Sequence, residues 1–313
     1  MKSLKDILYK VEISSVIGTT DLSINSVAFD SRKVKKQDLF IAIKGIQTDG
    51  HQYILQAIES GVSAIIVEQK PVETHDGISY IIVKDSSKAL AVIAANFYDN
   101  PSEKIKLIGV TGTNGKTTIV SLLYNLFVGM NKRAGMLSTI NNKINEETIK
   151  STHTTGDALQ INHLLAEMVC QECVYCFMEV SSHAIDQKRI EALAFDVMIF
   201  TNISHDHLDY HSTFNEYINT KKIVFDNLKS DAIALVNNDD KHVKDILKDT
   251  KAKAQTFSLK SMADFKCKVL ENQFDGMLLN INNYDLWTRL IGEFNAYNVL
   301  AVYAVGRLLN CEE

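Results

Sequence analysis

The sequence predicts an α/β protein with a small N-terminal α/β domain, residues 1–103, and a central domain with an open, mostly parallel sheet, residues 104–313. The chain has 313 residues, which is enough for about two domains at roughly 100–200 residues each. After Pro101, nearly continuous apolar segments alternate with helical patterns, as expected for parallel strands that are covered on both faces. Pro101 itself, in "YDNPSEK", marks a turn and a plausible domain boundary.

Short elements of both kinds are predicted before Pro101. The segment "MKSLKDILYKVE" has the pattern of an amphipathic helix. The segments "INSVAFDSR", "DLFIAI", "SAIIVE" and "SYIIVK" are typical of strands. Between and after them, "YILQAIESG" and "SSKALAVIAANFY" are predicted to be helices, the first ending at a glycine.

The pattern is stronger after Pro101. A strand, "IKLIGV", leads through a glycine-containing loop into the helix "TTIVSLLYNLFVGM". We expect this helix to bury the apolar face formed by Ile119, Leu122, Leu123, Leu126 and Phe127. Further strands are predicted at "CVYCFMEV", "FDVMIFTNI" and "AIALVNN", with helices at "ALQINHLLAEMV" and "TFNEYINTKKIVFDNL". This order predicts βαβ units and therefore parallel strands.

Composition and charge are those of an ordinary globular protein. Hydrophobic residues make up 46% of the chain, charged residues 23%, and the formal net charge is −5. No overall basic field is present to attract nucleic acid, so an anionic ligand must be held by local groups. The start of the chain does not resemble a signal peptide, and no segment has the roughly 18 apolar residues of a membrane span. We expect a monomeric cytoplasmic protein that binds neither nucleic acid nor membrane.

The five cysteines are expected to be buried or incidental thiols. Cys170, Cys173 and Cys176 have the spacing of part of an iron–sulfur or zinc site. However, the first two end a helical pattern, the third lies in an apolar strand, and a fourth ligand is not evident nearby. The odd number of cysteines also argues against a disulfide framework.

Polar residues cluster just after the predicted strands. The clusters are Thr111–Thr118, the segment "EVSSH" from Glu179, the segment "TNISHDH" from Thr201, and "NNDD" from Asn237. Ligands of open α/β sheets bind at the edge formed by the carboxyl ends of the strands. The four clusters therefore predict one site at that edge.

The segment "GVTGTNGKTT" has the strand–loop–helix context of a phosphate-binding loop. Its spacing differs from the usual G-x-x-x-x-G-K-[ST], because Val110 stands where the first glycine is expected. Gly112 and Gly115 allow backbone N–H groups to face phosphates at a helix N-terminus. Lys116 is expected to contact the β- and γ-phosphates, and Thr117 to bind Mg²⁺. A P-loop ATPase domain is the resulting prediction.

Glu179 is the first candidate for a further magnesium ligand. It ends an apolar strand, where a carboxylate is costly unless it is paired or bound to a metal. The segment "SHDHLDYH" also resembles the H-x-H-x-D-H of metallo-hydrolases, but its last spacing differs by one residue. A phosphate-binding loop has no role in that chemistry, so the zinc hydrolase is the weaker alternative.

Several motifs together resemble the Mur ligase family of peptidoglycan synthesis. They are "GVTGTNGKTT", "MEVSSHAIDQKRI", "FTNISHDHLDYHSTFNEYINTKK" and "LIGEFNAYNVLAV". The TGTNGKT form of the loop belongs to that family, which explains the unusual spacing. Within the family, "FDSRKVKKQDLFIAIKGIQTDGHQYILQAIESGVSAIIVE" and "HTTGDAL" resemble the member that adds the third peptide residue. That resemblance implies an ATP-dependent ligase that joins a diamino acid, diaminopimelate or lysine, to UDP-N-acetylmuramoyl-L-alanyl-D-glutamate through an acyl phosphate.

The resemblance also implies roles for individual residues. ATP would be held by Gly112, Thr113, Asn114, Gly115, Lys116, Thr117 and Thr118, with Asn295 and Asn298 near the adenine. One or two Mg²⁺ ions would be held by Thr117, Glu179, His207 and Lys221, the lysine being carbamylated by CO₂. The UDP-muramoyl dipeptide would contact Phe29, Ser31, Ile46, Gln47, Thr48, His153, Thr154, Thr155, Ser181, Gln187 and Arg189. Catalysis would rest on Lys116, His207 and Lys221.

Three questions stay open at this point. Lys221 is preferred over Lys222 for the carbamate only by alignment with "Y-x-x-x-K". Family members have a third, C-terminal domain that selects the amino acid, and we expect it to be absent from this chain, which would then ligate poorly or not at all. There are two alternatives: another ligase of the superfamily, such as the folylpolyglutamate type, and a non-catalytic nucleotide-binding relative. The uridine-type N-terminal segment argues against the folylpolyglutamate type.

Overall fold

A computed structural model of the chain describes residues 1–45, 48–150, 155–204, 210 and 213–310. These residues form two compact units. The N-terminal unit comprises Met1–Pro101, Asp157–Ala166 and Gln187–Leu193, and the central unit comprises Ser102–Gly156, Glu167–Asp186 and Ala194–Glu313. The first change of unit follows Pro101, where the sequence has its turn signal. The predicted domain limits, 1–103 and 104–313, stay predictions.

The N-terminal unit is built from short strands and helices. Its strands are β1 (Lys2–Ser3), β2 (Ile13–Ile17), β3 (Ser23–Ile24), β4 (Val27–Ala28), β5 (Leu39–Ile41), β6 (Ala64–Val67) and β7 (Ser79–Val83). Its helices are α1 (Leu4–Ile7), α2 (Ile54–Glu59) and α3 (Ser86–Phe97), with 3-10 turns at Ser31–Lys33 and Gly50–Tyr53. Five strands form a sheet in the order β2-β7-β6-β5-β4, and β1 pairs with β3.

Alternate side chains of this sheet enter two apolar clusters. Leu39 and Ile41 of β5 pack in one cluster with residues of α1 and α3. Phe40 lies between them in sequence and packs in the other cluster, with Ala57 of α2 and Ile65 of β6. Both faces of the sheet are thus covered.

The predicted helix at the start of the chain is wrong in length. Only Leu4–Ile7 is helical, and Lys10 has a left-handed backbone with φ of 62°. This conformation ends the helical path, and β2 begins at Ile13. Leu4 and Ile7 are fully buried, so the apolar spacing correctly identified a face but not the extent of the element.

The central unit holds the large sheet. Its strands are β8 (Lys106–Thr111), β9 (Ala134–Leu137), β10 (Asn141–Ile144), β11 (Glu147–Lys150), β12 (Tyr175–Glu179), β13 (Val197–Phe200), β14 (Ile233–Asn237), β15 (Lys253–Ser258), β16 (Phe265–Gln273), β17 (Gly276–Ile281) and β18 (Tyr284–Thr288). Further helices of the chain are α4 (Lys116–Gly129), α5 (Ala158–Cys170), α6 (Ser182–Asp186), α7 (Phe214–Asp226), α8 (Val243–Leu247) and α9 (Glu293–Leu308). The part of α5 up to Ala166 belongs to the N-terminal unit.

The large sheet is parallel in its middle and antiparallel at its edges. Its order is β11-β10-β9-β12-β8-β13-β14-β15-β16-β17-β18. The strands from β9 to β16 in this order are parallel, and β10, β11, β17 and β18 pair antiparallel. The open, mostly parallel sheet is therefore confirmed. In this order, strands β9 to β12 lie on one side of β8, and the strands from β13 onward lie on its other side. Strand β8 therefore lies at the topological switch point, where open α/β sheets bind ligands.

Helices α4 and α9 cover one face of this sheet. Leu123 and Phe127 of α4 pack with Leu300 of α9 and Phe177 of β12 in the main apolar cluster. The predicted face of α4 is partly wrong, because Leu126 is 39% exposed. The buried face instead includes Val120 and Tyr124, which lie at helical spacing from Ile119, Leu123 and Phe127.

The antiparallel edge strands were not predicted from the sequence. Strand β16 carries many charged and amide side chains, and β18 is almost entirely exposed. An edge strand with one solvated face lacks the continuous apolar run that identifies a covered parallel strand. Among the described residues, no helix is long and apolar enough to cross a membrane.

Candidate functional site

Four strand ends meet at one edge of the central sheet. Glu179 at the end of β12 lies opposite Val110 of β8, and Thr111 lies opposite Phe200 of β13. Phe200 in turn lies opposite Val236 of β14. This register brings together the described residues of the four polar clusters, as predicted.

The glycine loop, residues 112–115, connects β8 to α4. Gly112 has φ of 146° and Gly115 has φ of 92°, both in the region that favours glycine. A Cβ atom at Gly112 would lie 2.0 Å from Thr201 Oγ1, and one at Gly115 would lie 2.6 Å from Asn298 Oδ1. Both glycines are therefore required by backbone conformation and by the closeness of their neighbours.

Residues after β13 hold the glycine loop in place. The Thr113 and Asn114 N–H groups donate to Asn202 O at 2.8 Å and to Asn202 Oδ1 at 3.0 Å. The Thr201 hydroxyl donates to Asn114 O at 2.6 Å. These contacts orient the loop over the start of α4. The N–H groups of a first helical turn have no acceptor within the helix, and the helix dipole favours anions there.

Lys116 brings a positive charge to this loop. It is the first residue of α4, and its ammonium group donates to Gly112 O and Thr113 O, each at 2.8 Å. The cation is thus held beside the helix N-terminus, where an anionic ligand would meet both the charge and the backbone donors.

Thr117 and Glu179 form the oxygen-rich part of the site. Glu179 is 1% exposed, and its Oε2 accepts a hydrogen bond from Thr117 Oγ1 at 3.0 Å. Thr139 adds two donors to the same carboxylate, from its N–H at 2.9 Å and its hydroxyl at 3.0 Å. Sequence reasoning missed Thr139, which follows the short strand β9. A hydroxyl and a carboxylate at this distance are suitable ligands for a hard cation such as Mg²⁺.

Lys221 approaches the glycine loop from α7. It is 1% exposed, and its ammonium group donates to Gly112 O at 3.2 Å and to Thr111 Oγ1 at 3.4 Å. Lys222 has a different environment, since it forms ion pairs with Asp226 at 2.6 Å and Asp249 at 2.5 Å. Of the two neighbouring lysines, Lys221 is therefore the one that contacts the loop.

A cavity of about 770 Å³ opens beside the glycine loop. It is lined by Asn114, Gly115, Thr118, Ile119, Thr201, Asn202, Asn237, Asp239, Asp240, Phe257, Glu293, Phe294, Tyr297 and Asn298. Asn298 faces this cavity, whereas Asn295 is not part of its lining; the Asn298 amide donates to Asn295 Oδ1 at 3.0 Å. Sequence reasoning missed Phe257 and Tyr297, although Tyr297 lies between the two predicted asparagines.

Some of the residues predicted to contact the muramoyl peptide lie close to Glu179. The Thr155 hydroxyl donates to Glu179 O at 2.9 Å, and the Ser181 N–H donates to Thr155 Oγ1 at 3.3 Å. Gln187 and Arg189 belong to the N-terminal unit. The Arg189 guanidinium donates to Gln187 Oε1 through its Nε at 3.0 Å.

The predicted uridine contacts that the structure describes all lie in the N-terminal unit. Phe29 is partly buried against an apolar cluster of that unit, the Ser31 hydroxyl donates to Gln56 Oε1 at 2.8 Å, and Thr48 is exposed. Five predicted residues lie outside the described residues: Ile46, Gln47, His153, Thr154 and His207.

The described cysteines are free thiols. Cys170 is exposed, whereas Cys173, Cys176 and Cys267 are buried. Burial raises the pKa of the Cys267 thiol to about 11, and also raises that of Cys176, so both stay protonated. In the part of the chain that the structure describes, no three His, Cys, Asp or Glu side chains are grouped to hold a metal.

Comparison with protein families identifies the fold. The family model described as the Mur ligase middle domain matches residues 110–306, which is more than half of the chain. The chain belongs to the Mur ligase family. A second model, described as the Mur ligase family catalytic domain, matches residues 23–98 of this Mur ligase.

Individual relatives agree with this assignment. The Mur ligase is 50% identical over 307 residues to the UDP-N-acetylmuramoyl-L-alanyl-D-glutamate--2,6-diaminopimelate ligase of Cytophaga hutchinsonii, an alignment covering 98% of this chain and 63% of the relative. A solved structure of a ligase of that name superimposes with a TM-score of 0.84 at 25% identity, covering 99% of this chain and 64% of that one. The MurF ligase of Thermotoga maritima in complex with ADP shares the fold, with a TM-score of 0.59 at 23% identity over 91% of this chain and 63% of that one. The chain thus spans about 63% of the length of this curated relative.

Proposed function

We propose that this Mur ligase takes part in the ATP-dependent addition of 2,6-diaminopimelate to UDP-N-acetylmuramoyl-L-alanyl-D-glutamate, a step in peptidoglycan precursor synthesis. The observation that carries the proposal is the contact between Thr117 Oγ1 and Glu179 Oε2, at 3.0 Å, beside Lys116 at the N-terminus of α4. The relative with 50% identity is named for this reaction, which favours diaminopimelate over lysine. A reaction that consumes ATP and a UDP-linked precursor would take place in the cytoplasm.

ATP is the proposed ligand of the central unit. Its β- and γ-phosphates would lie against the N–H groups at the start of α4, with Lys116 as the counter-charge. The base would enter the cavity beside the loop, where Phe257 and Tyr297 offer aromatic surface and Asn298 offers an amide. The complex of the Thermotoga maritima ligase with ADP supports a nucleotide in this fold.

Mg²⁺ fits the oxygen ligands next to the glycine loop. Thr117 and the buried Glu179 carboxylate would hold one ion, and His207 with a carbamylated Lys221 would hold a second. Bound there, Mg²⁺ would neutralise phosphate charge during phosphoryl transfer.

The surroundings of Lys221 favour its conversion to a carbamate. Its ammonium group and that of Lys116 both donate to Gly112 O, at 3.2 and 2.8 Å, so two like charges share one acceptor. Two ammonium groups that donate to the same oxygen lie close enough to repel each other. Attack of the neutral Lys221 amine on CO₂, with loss of one proton, would replace a cation by an anion and remove this repulsion.

The proposed reaction has two steps. An oxygen of the D-glutamyl γ-carboxylate attacks the γ-phosphorus of ATP, and ADP leaves. The neutral amine of diaminopimelate then attacks the carbonyl carbon of the acyl phosphate. The tetrahedral adduct loses a proton from its nitrogen and expels phosphate as the C–O bond breaks, and the amide remains. Lys116 would reduce the repulsion between the carboxylate and the triphosphate in the first step, because its charge lies beside both.

The N-terminal unit is the proposed binding site for the uridine part of the precursor. Phe29, Ser31 and Thr48, with Ile46 and Gln47, would contact the nucleotide. The peptide part would meet Thr155, Ser181, Gln187 and Arg189 together with His153 and Thr154. Arg189 can bind a carboxylate or phosphate through two parallel N–H groups.

Binding measurements test the proposal on the 313-residue chain. We expect calorimetry to detect β,γ-imido-ATP with Mg²⁺ and, in a separate titration, the UDP-muramoyl dipeptide. The Lys116→Ala variant should bind the nucleotide about 10- to 100-fold more weakly, because charge-assisted hydrogen bonds contribute roughly 1.5–3 kcal/mol.

The matched control is Lys222→Ala, which removes a lysine that is paired away from the loop. It should leave nucleotide affinity within about twofold. Wild-type protein that is folded yet binds neither ligand would exclude the proposed function.

A further inference from the structure

Helix α7 contacts the glycine loop at two points. Tyr217 and Lys221 are four residues apart and therefore project from the same face of the helix. Both side chains are buried, at 0% and 1% exposure. The face of α7 that they share is thus packed against the loop, and only Lys221 has a role in the proposed chemistry.

Tyr217 contacts the loop through its hydroxyl group. That oxygen lies 3.2 Å from Thr113 Oγ1, within hydrogen-bonding distance. The same Thr113 oxygen accepts the N–H of Ser204 at 3.0 Å. Thr113 is itself only 8% exposed and Tyr217 is fully buried, so the hydrogen bond between them is shielded from solvent, where its loss is costly.

The ring of Tyr217 contacts Lys221, the other residue of α7 that contacts the glycine loop. The Lys221 ammonium lies 4.6 Å from the ring centroid, in the geometry of a cation–π interaction. This ammonium also donates to Gly112 O at 3.2 Å. The two contacts with the glycine loop differ in kind. The Lys221 contact depends on the charge of the side chain, whereas the contact of the Tyr217 hydroxyl is neutral.

We propose that Tyr217 is a positioning residue for the glycine loop, and that its hydrogen bond with Thr113 holds the loop when Lys221 has lost its positive charge. A carbamylated Lys221 keeps a single N–H on its nitrogen and has reversed its charge, so its charge-assisted contact with Gly112 O is weakened and its cation–π contact with the Tyr217 ring is lost. The Tyr217 hydroxyl is unaffected by that change. The inference rests on the proposed function, because it takes the glycine loop as the site of the triphosphate.

The test compares Tyr217→Phe in two backgrounds. The substitution keeps the ring and removes only the hydroxyl. Calorimetry with β,γ-imido-ATP and Mg²⁺ should give a dissociation constant about 3- to 10-fold higher in the wild-type background, as expected for one buried hydrogen bond. In the Lys221→Met background the increase in the dissociation constant should be larger, because the contact of Lys221 with the glycine loop is already missing.

A second variant removes the same hydrogen bond from the other side. Thr113→Val should weaken nucleotide binding, and Tyr217→Phe should have no further effect when added to it. Thr113→Val in the Lys221→Met background also serves as the test if Tyr217→Phe folds poorly.

The matched control is Tyr80→Phe. Tyr80 is also 0% exposed, and its hydroxyl accepts the His75 N–H at 3.3 Å within the N-terminal unit. It should lower the melting temperature about as much as Tyr217→Phe and leave nucleotide affinity unchanged. If both variants change only the melting temperature, or if the Tyr217→Phe effect is equal in the two backgrounds, Tyr217 is merely structural and the inference is overturned. A wild-type chain that does not bind the nucleotide would instead reject the proposed function.

Discussion

Among single residues, Asp239 has the densest set of hydrogen-bond donors at the cavity beside the glycine loop. Its carboxylate accepts hydroxyl groups of Ser258, Ser261 and Tyr297 and backbone N–H groups of Leu259, Lys260 and Ser261. Burial acts to raise the pKa of this carboxyl, but the hydrogen bonds from Ser258, Ser261, Lys260 and Tyr297 outweigh it and hold the pKa of Asp239 well below its usual range. The ionised form therefore stabilises the segment that forms one wall of the cavity.

Asp239→Asn should destabilise the protein by about 1–3 kcal/mol at pH 7, because one acceptor oxygen and its charge are lost. A pKa that is lowered by folding contributes stability above the unfolded value of about 3.9, and this contribution is lost as pH falls towards the folded value. The difference between wild type and variant should therefore shrink below about pH 4. Urea unfolding at several pH values measures it. The exposed Asp231→Asn, in the same unit, should change stability by less than about 0.5 kcal/mol; equal effects of the two substitutions would contradict the prediction.

At the scale of elements, α4 shows how packing decides which apolar residues of a helix are buried. Leu123 is fully buried in the main cluster, whereas Leu126, three residues later on the same helix, is 39% exposed. The sequence predicted both to be buried, since both fit a broad apolar stripe. The contact with α9 selects the narrower face that contains Val120, Leu123 and Phe127.

Leu123→Ala and Leu126→Ala form a matched pair for this element. The first should cost about 2–5 kcal/mol, because it leaves a cavity in a packed core. The second should cost less than about 1 kcal/mol, since much of its side chain is already in water. Unfolding free energies from urea titration distinguish them, and comparable losses for the two variants would refute the assignment of the buried face.

At the scale of the whole molecule, the N-terminal unit is not a continuous piece of the chain. Asp157–Ala166 and Gln187–Leu193 belong to it, although they follow the glycine loop in sequence. Ala158 is 2% exposed in the same apolar cluster as Leu4 and Ile93, and Leu159 and Ala192 pack against that cluster. The core of this unit is therefore completed by residues from far along the chain.

A chain of residues 1–103 alone should be less stable than the same unit in the 313-residue protein. The apolar surface that Ala158, Leu159 and Ala192 cover would be exposed to water, at a cost of about 25 cal/mol for each Å². Hydrogen exchange of amides in β5 and β6, measured at increasing urea concentrations, gives the stability of this unit in both chains. Identical protection in the short and the long chain would show that the later segments contribute nothing.

The sequence predicted most of the central sheet and its ligand edge because these signals are local. A continuous apolar run such as "CVYCFMEV" indicates a covered strand, and a glycine-rich turn between strand and helix indicates an anion site, wherever the chain later folds. The edge strands β17 and β18 and the short extent of α1 were missed or wrong. Their limits depend on pairing and on the left-handed backbone at Lys10 rather than on periodicity.

By itself, the sequence determined the α/β class, the glycine loop with Lys116 and Thr117, and the polar clusters after successive parallel strands, because each depends on neighbouring residues. Only the tertiary structure decided that Lys221 and not Lys222 contacts the loop, that Thr139 donates to Glu179, and that Tyr217 reaches Thr113. These contacts join residues that are up to 109 positions apart in the chain. Their geometry follows from the order of strands in the sheet, which no local pattern contains.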